Sequence, residues 1–106
     1  YTSYSDGKYA LCFSCHDKQA FTERITLTAT GFRDGDRNLH AVHVNKVTKG
    51  RTCKACHEVH ADQNQPKHIR PFLEFSGWDM PMNFVPSKNG GSCLPGCHGD
   101  KRYSRQ

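Results

Sequence analysis

Long apolar runs are absent from this chain of 106 residues, of which only 35% are hydrophobic. The mean hydropathy is −0.80, and no stretch approaches the roughly 20 apolar residues that a transmembrane helix needs. No signal peptide stands at Tyr1. We therefore expect no transmembrane segment. A chain of this length and composition is also small for building a hydrophobic core unaided.

A nucleic-acid recognition motif is also absent. The formal net charge is +5 and the pI is about 9.0, a balance that by itself would suit an anionic partner. The Lys and Arg residues, however, are scattered along the sequence and form no basic stripe. We therefore expect no nucleic acid among the partners.

Cysteine is plentiful, and its six residues form three pairs that are each followed at once by a histidine. Residues 12–16 and 53–57 read C-x-x-C-H, and residues 93–98 carry the same motif with one extra residue. This motif attaches haem c through two thioether bonds, and its histidine becomes an axial iron ligand. We predict three covalent haem c groups (iron), attached through Cys12, Cys15, Cys53, Cys56, Cys93 and Cys97. The iron ligands within the motifs are then His16, His57 and His98.

Other uses of paired cysteines remain open at this point. C-x-x-C pairs also bind zinc, form redox disulfides or staple small secreted domains. None of these needs a histidine directly after the second cysteine, and three pairs do not divide evenly into four-ligand zinc sites. For the longer third motif, a Cys93–Cys97 disulfide and a haem held by one thioether are the alternatives. Pro95-Gly96 favours a tight turn that would fold the extra residue out of the way.

The remaining histidines almost match the demand for second axial ligands. Three are needed if every haem iron has two histidine ligands, and one is then spare. Met80 and Met82 compete as ligands, although we expect them to pack in the core. The candidate distal ligands are His40, His43, His60 and His68.

The spacing of these histidines predicts how some of them are presented. We expect a helix from Leu39 to about Val47, and on it His40 and His43 are three residues apart and share a face. His57 and His60 repeat that spacing, so that two neighbouring haems would be ligated from one turn. The fourth candidate, His68, lies on no helical face that the sequence predicts.

The segments 11–16, 39–43 and 53–60 resemble multihaem cytochromes with a doubled CxxCH motif. In that family a C-x-x-C-H-x-x-H element, preceded by histidines, recurs along the chain. The resemblance implies low-spin, bis-histidine haems that are closely stacked and held by short helices and loops. It also implies distal ligation by His43 and His60. Relatives include periplasmic shuttles, modules of larger cytochromes and subunits of extracellular filaments.

The expected fold is a small, mostly irregular multihaem cytochrome with short α-helices, little β-structure and a haem-packed core. We predict a single triheme domain over residues 1–106. Within it, residues 22–32 are rich in β-branched side chains and predict a strand or extended arm. Residues 69–75 predict a second strand, and the polar tail after Gly99 is expected to be mobile.

These features together predict an electron carrier and not an enzyme. Six-coordinate haem leaves no open iron for a substrate, whereas a multihaem reductase, the competing class, would need a five-coordinate iron. The partners would be redox proteins, or copies of the chain in a filament to which the arm at residues 22–32 adds. Thioether attachment takes place outside the cytoplasmic membrane. We therefore expect an exported product, periplasmic or extracellular, or a module of a longer protein.

Overall fold

The computed structural model describes residues 1–58 and 64–106. The chain divides into two compact units, one formed by residues 1–52 with 105–106 and the other by residues 53–104. Each is described by itself below. The expectation of one domain over residues 1–106 stays a prediction.

The first unit consists of three short helices and a small hairpin. A 3-10 helix over Asp6–Tyr9 leads into the helices, which are α1 (Ala10–Phe13), α2 (Gln19–Thr22) and α3 (Leu39–Val44). Strands β1 (Arg33–Asp34) and β2 (Arg37–Asn38) pair antiparallel directly before α3. Their tight turn has Gly35 at φ 56°, a backbone angle that glycine adopts without steric cost.

Asn38 fixes the start of α3 and is fully buried, with 0% of its surface exposed. Its side-chain oxygen accepts hydrogen bonds from the backbone N–H groups of His40 (2.9 Å) and Ala41 (3.3 Å). Its amide donates to the carbonyls of Ala20 (3.1 Å) and Glu23 (2.7 Å). The side chain therefore caps the helix and ties it to the preceding chain. The predicted helix is confirmed in a shorter form.

A strand or an extended arm was predicted for residues 22–32, and the strand is wrong. Those residues, all of them described, contain only one isolated bridge, from Ile25 to Arg37. The hydroxyl of Thr26 accepts from the backbone N–H groups two and three residues further on, at 3.2 and 2.9 Å. Thr30 does the same for the N–H two residues on, at 3.0 Å. These local bonds offer the backbone an alternative to a sheet ladder.

The second unit is built mainly from β-strands. It contains α4 (Cys53–Cys56), a 3-10 helix over Pro66–His68, and the strands β3 (Phe72–Phe75), β4 (Trp78–Pro81), β5 (Phe84–Ser87), β6 (Gly90–Cys93) and β7 (Lys101–Ser104). Strands β3 and β4 form an antiparallel hairpin, and β5, β6 and β7 form a three-stranded antiparallel sheet in that order. The strand predicted for residues 69–75 is confirmed for its second half.

The expectation of a mobile tail after Gly99 is wrong, because β7 pairs along the whole of β6. Gly90 lies opposite Ser104 and Gly91 opposite Tyr103. A β-carbon added to Gly90 would lie 1.9 Å from the carbonyl oxygen of Tyr103. Glycine in a strand often marks such a close approach of a neighbouring backbone. The pair of glycines therefore belongs to the sheet and makes room for its third strand.

The expected fold class, a mostly irregular chain with little β-structure around a haem-packed core, is wrong. The described residues contain seven strands in three small antiparallel sheets beside four short α-helices. Strand pairing satisfies backbone groups that an irregular chain would leave to water. The buried hydrophobic core residues are Tyr9, Ala41 and Val44 in the first unit and Met80 and Met82 in the second.

Within the described parts of the chain, every helix is too short or too polar to cross a membrane.

Candidate functional site

The first cysteine motif lies on one helical turn. Cys12 is in α1, and its carbonyl accepts hydrogen bonds from the backbone N–H groups of Cys15 (3.2 Å) and His16 (2.9 Å). Cys12 is half-buried, whereas Cys15 and His16 are exposed. Residues three apart on a helical turn share a face, so the two thiols are presented together with the ring that follows them.

The second motif repeats this arrangement in the other unit. Cys53 and Cys56 begin and end α4, and the backbone N–H of His57 donates to the carbonyl of Cys53 at 2.9 Å. Both thiols and the imidazole are half-buried. The same turn therefore presents the same three functional groups twice in the chain.

The third motif has a different backbone. Cys93 is the last residue of β6 and is held by both neighbouring strands, whereas Cys97 lies in the turn that follows. The turn predicted from Pro95 and Gly96 is present at Gly96 and Cys97, and Pro95 is buried. The Cys97 thiol approaches the thioether sulfur of Met80 at 3.7 Å. A strand end and a turn here replace the helical turn of the other motifs.

All six cysteines belong to the described residues. Cys93 and Cys97 are not joined by a disulfide in this structure. Burial, and to a smaller extent the nearby carboxylate of Asp100, raises the pKa of the Cys93 thiol. Its thiolate fraction at neutral pH is correspondingly reduced.

Three candidate iron ligands hold their Nδ1 atoms against a backbone carbonyl. The pairs are His43 with Leu39 at 2.7 Å, His57 with Lys67 at 3.1 Å and His98 with Gly99 at 2.7 Å. A carbonyl only accepts hydrogen bonds, so Nδ1 carries the proton in the neutral ring and Nε2 is the nitrogen that would hold a metal. Metal-bound histidines are commonly oriented through their second nitrogen in this way. The donor set therefore fits the chemistry of axial haem ligation.

His40 and His43 lie on the same face of α3, as their spacing predicts. The ring of Phe32 contacts both, with centroids 5.0 Å from His40 and 5.8 Å from His43. His40 also meets Phe21 edge-on at 5.0 Å, and its Nδ1 is 3.0 Å from the hydroxyl of Thr30. Both rings are half-buried.

Phe21 connects these histidines to the first motif. Its ring contacts His16 edge-on at 6.2 Å on one side and His40 on the other. We call the group of His16, Phe21, Phe32, His40 and His43 the aromatic cluster. Sequence reasoning missed both phenylalanines, although two aromatic residues in the segment between predicted ligands were an available signal.

The segment around His68 packs by its backbone against the second motif. Glu58 N–H donates to the carbonyl of His68 (3.0 Å), and Arg70 N–H donates to the carbonyl of Cys56 (2.8 Å). Lys67 and His68 both have φ 55°, a left-handed conformation that is uncommon outside glycine. The His68 ring itself is exposed. Sequence reasoning missed the Lys67 carbonyl as the partner of the His57 ring, because a backbone acceptor has no characteristic side chain.

Two further predictions concern the remaining candidate ligands. His60 lies outside the described residues. Met80 and Met82 are buried, with 5% and 8% of their surface exposed, so the core packing expected for them is confirmed. Within the described residues, no three or more His, Cys, Asp and Glu side chains converge as a metal-binding group. Haem iron takes its equatorial nitrogens from the porphyrin and needs at most two protein ligands.

Comparisons with protein-family models, with curated proteins and with solved structures found no match to this chain. The functional interpretation therefore depends on the motifs and on their geometry.

Proposed function

We propose that this chain is an electron carrier with three covalently attached haem c groups, and that it is not an enzyme. The observation that carries the proposal is the helical turn shared by residues 12–16 and 53–57. In each, the histidine N–H bonds to the carbonyl of the first cysteine at 2.9 Å. Two thiols and an adjacent imidazole on one turn are the groups that haem attachment requires.

The residues that would hold the haems follow from the motifs. The attaching thiols are Cys12 with Cys15, Cys53 with Cys56, and Cys93 with Cys97. The proximal ligands are His16, His57 and His98, and the distal ligands come from His40, His43, His60 and His68. Haem c, when bound, supplies reversible one-electron transfer between ferric and ferrous iron.

The chain's own contribution to this function is orientation. The carbonyls of Lys67 and Gly99 fix the tautomer and direction of the His57 and His98 rings. In the first unit the aromatic cluster restricts the His40 and His43 rings and shields them from water. Ligand orientation and shielding are the means by which a protein tunes a haem potential.

Location and partners are part of the same proposal. Because thioether attachment takes place outside the cytoplasmic membrane, we place the protein in the periplasm or at the cell exterior. Its partners are redox proteins, or copies of itself in a filament. The alternatives to a filament subunit are a soluble periplasmic shuttle and a module of a larger multihaem oxidoreductase. Both would use the same electron-transfer chemistry.

The test is an intact mass on the denatured protein, beside a visible spectrum of the reduced native form. We expect a gain of three haem masses and a low-spin spectrum. A Cys93→Ser/Cys97→Ser double variant serves as the control and should lose one haem mass. A gain of two in the wild type would restrict the proposal to the helical motifs. A colourless protein without added mass would overturn it.

The distinction between carrier and enzyme has its own measurement. Carbon monoxide and nitrite bind only where an axial position is open. We expect neither to shift the spectrum of the native protein, because histidines are available for the second axial positions. A shift with either ligand would replace the carrier by a multihaem reductase.

A further inference from the structure

We propose that the β3–β4 hairpin is the positioning element of the third motif, through the packing of Trp78 and Met80 on Gly96. The inference rests on the proposed function, since it concerns how Cys97 is presented for haem attachment. It assigns a role to three residues other than the cysteines and the histidine of the motif.

The contact at Gly96 is too close for a side chain unless Met80 and Trp78 shift. A β-carbon built on this residue would lie 2.6 Å from Cγ and 2.9 Å from Sδ of Met80, and 2.8 Å from Cη2 of Trp78. Separations below 3.0 Å are essentially never adopted by real β-carbons. The turn of the third motif therefore rests directly on the hairpin.

The hairpin is a firm support for this turn. Met80 is 5% exposed and pairs with Leu73 across the β3–β4 ladder, and Trp78 pairs with Phe75. The sulfur of Met80 also contacts the Cys97 thiol at 3.7 Å. A buried residue in the middle of a paired strand has little freedom to move, so the thiol it touches is held with it.

The third motif needs such a support because it has no helical turn of its own. In the helical motifs, a hydrogen bond between near neighbours fixes both cysteines and the histidine. In the third motif, Cys93 is fixed by the three-stranded sheet, whereas Cys97 lies beyond a turn with one extra residue. The hairpin supplies the second fixed point.

Met80 acts here by shape and not as an iron ligand. Its sulfur is directed at the attaching thiol of Cys97, and its burial is that of a core residue. A volume-conserving replacement of a core methionine is usually tolerated. Met80→Leu should therefore keep the third haem and its axial-ligand spectrum.

The main test compares Gly96→Ala with Gly7→Ala in the holoprotein. Gly7 lies in the 3-10 helix of the first unit, and nothing is within 4 Å of a β-carbon added there. We expect Gly96→Ala to lower the fraction of chains with a third haem about tenfold, because the added methyl overfills the contact. Gly7→Ala should match the wild type. Intact mass counts the haems, and peptide mapping locates the missing one.

The second haem, which belongs to the same unit, separates local displacement from a failure to fold. We expect Gly96→Ala to keep the haem at Cys53 and Cys56 while it loses the one at Cys97. Loss of both the second and the third haem would show that Gly96 is needed for the stability of the whole unit. That result would overturn its proposed role in positioning Cys97. Retention of all three would overturn it as well.

Two further readouts complete the test. In the full-length apoprotein, Gly96→Ala should speed alkylation of Cys97, a result that requires no haem; an unchanged rate would contradict the proposed contact. Met80→Leu should leave the low-spin signature of the third haem unchanged, whereas a changed signature would make Met80 a ligand and overturn the packing role. A wild type without haem would instead refute the proposed function and leave the alkylation result to judge the contact.

Discussion

The helical motifs at residues 12–16 and 53–57 and the third motif at residues 93–98 present the same groups on different backbones. In the helical motifs the stabilising hydrogen bonds join residues that are three or four apart. In the third, Cys97 depends on Met80, which is 17 residues earlier, and Cys93 depends on two partner strands. A helical turn fixes the spacing of the two cysteines by its own hydrogen bonds. A strand end followed by a turn accepts an extra residue between the cysteines if tertiary packing holds the second cysteine in place.

Inserting one glycine after Ala55 should cause the largest effect, loss of the second haem. One added residue rotates a helical position by about 100°, which moves the second thiol of α4 away from the face of the first. Haem counting by intact mass checks this. A glycine inserted after Thr48, in an exposed segment of the first unit, is the control and should keep all three haems. An unaffected second haem would show that the helical spacing is not restrictive.

Asn38→Ala should produce the next largest effect, which falls on the first unit. The change removes the cap of α3 and leaves two carbonyls without their donor, a cost of about 2–4 kcal/mol in the free energy of unfolding. Asn45→Ala, which loses a single bond to the Thr22 carbonyl, should cost about 1 kcal/mol.

Urea unfolding of the apoprotein measures both asparagine variants, and the alkylation rate of Cys97 should change in neither. Equal losses for the two variants would contradict the role given to the cap. A faster reaction at Cys97 would show that the third motif depends on this cap as well as on the hairpin.

Cys93 and Cys97 should differ in their reaction with iodoacetamide in the apoprotein. Burial and Asp100 raise the pKa of Cys93 above its usual 9.0, so Cys93 should react more slowly than the exposed Cys97 at pH 8. Asp100→Asn should move the pH profile of Cys93 to lower pH, because one cause of the raised pKa is removed. An unmoved profile would leave burial as the sole cause.

The same shift has a consequence for stability. A raised pKa in the folded state favours the neutral thiol there. Its contribution is therefore complete below pH 9.0, the usual pKa, and is lost as the pH rises through the raised value. Urea unfolding of the apoprotein as a function of pH should show this decrease on the alkaline side, and Cys93→Ser should remove it.

The smallest effect is expected at the ion pair that brackets the first motif. The Lys18 ammonium and the Tyr4 hydroxyl both bond to Asp6 and lower the pKa of this carboxyl from 3.8. Its contribution is present above pH 3.8 and is lost as the pH falls through the lowered pKa. Lys18→Ala should raise the pKa towards 3.8 in a titration followed by NMR, while Lys101→Ala should not. The pair is exposed, so the haem content should stay unchanged.

The helical part of the structure was the more predictable one. The spacing of His40 and His43 agreed with the helix expected from Leu39, which is present as α3, because this signal acts between near neighbours. The strand expected at residues 22–32 failed for a local reason too, since Thr26 and Thr30 bond to the backbone beside them.

The β-rich part was less predictable because its causes are distant in sequence. Gly90 and Gly91 have the composition of a turn, yet they are strand residues that admit the Tyr103 backbone. The role of Gly96 is likewise visible only when the hairpin lies against it. The spacing in the sequence predicted the six cysteines and the motif histidines as haem-binding residues. The groups that orient them are visible only in the folded chain.

The carbonyl of Lys67 that meets the His57 ring has an evolutionary consequence. Because the contact uses the main chain, the side chain at this position can drift without moving the ring. Its left-handed φ of 55° makes glycine and asparagine the replacements with the least backbone cost. Substitutions at this position would therefore change the side chain and keep the contact to His57.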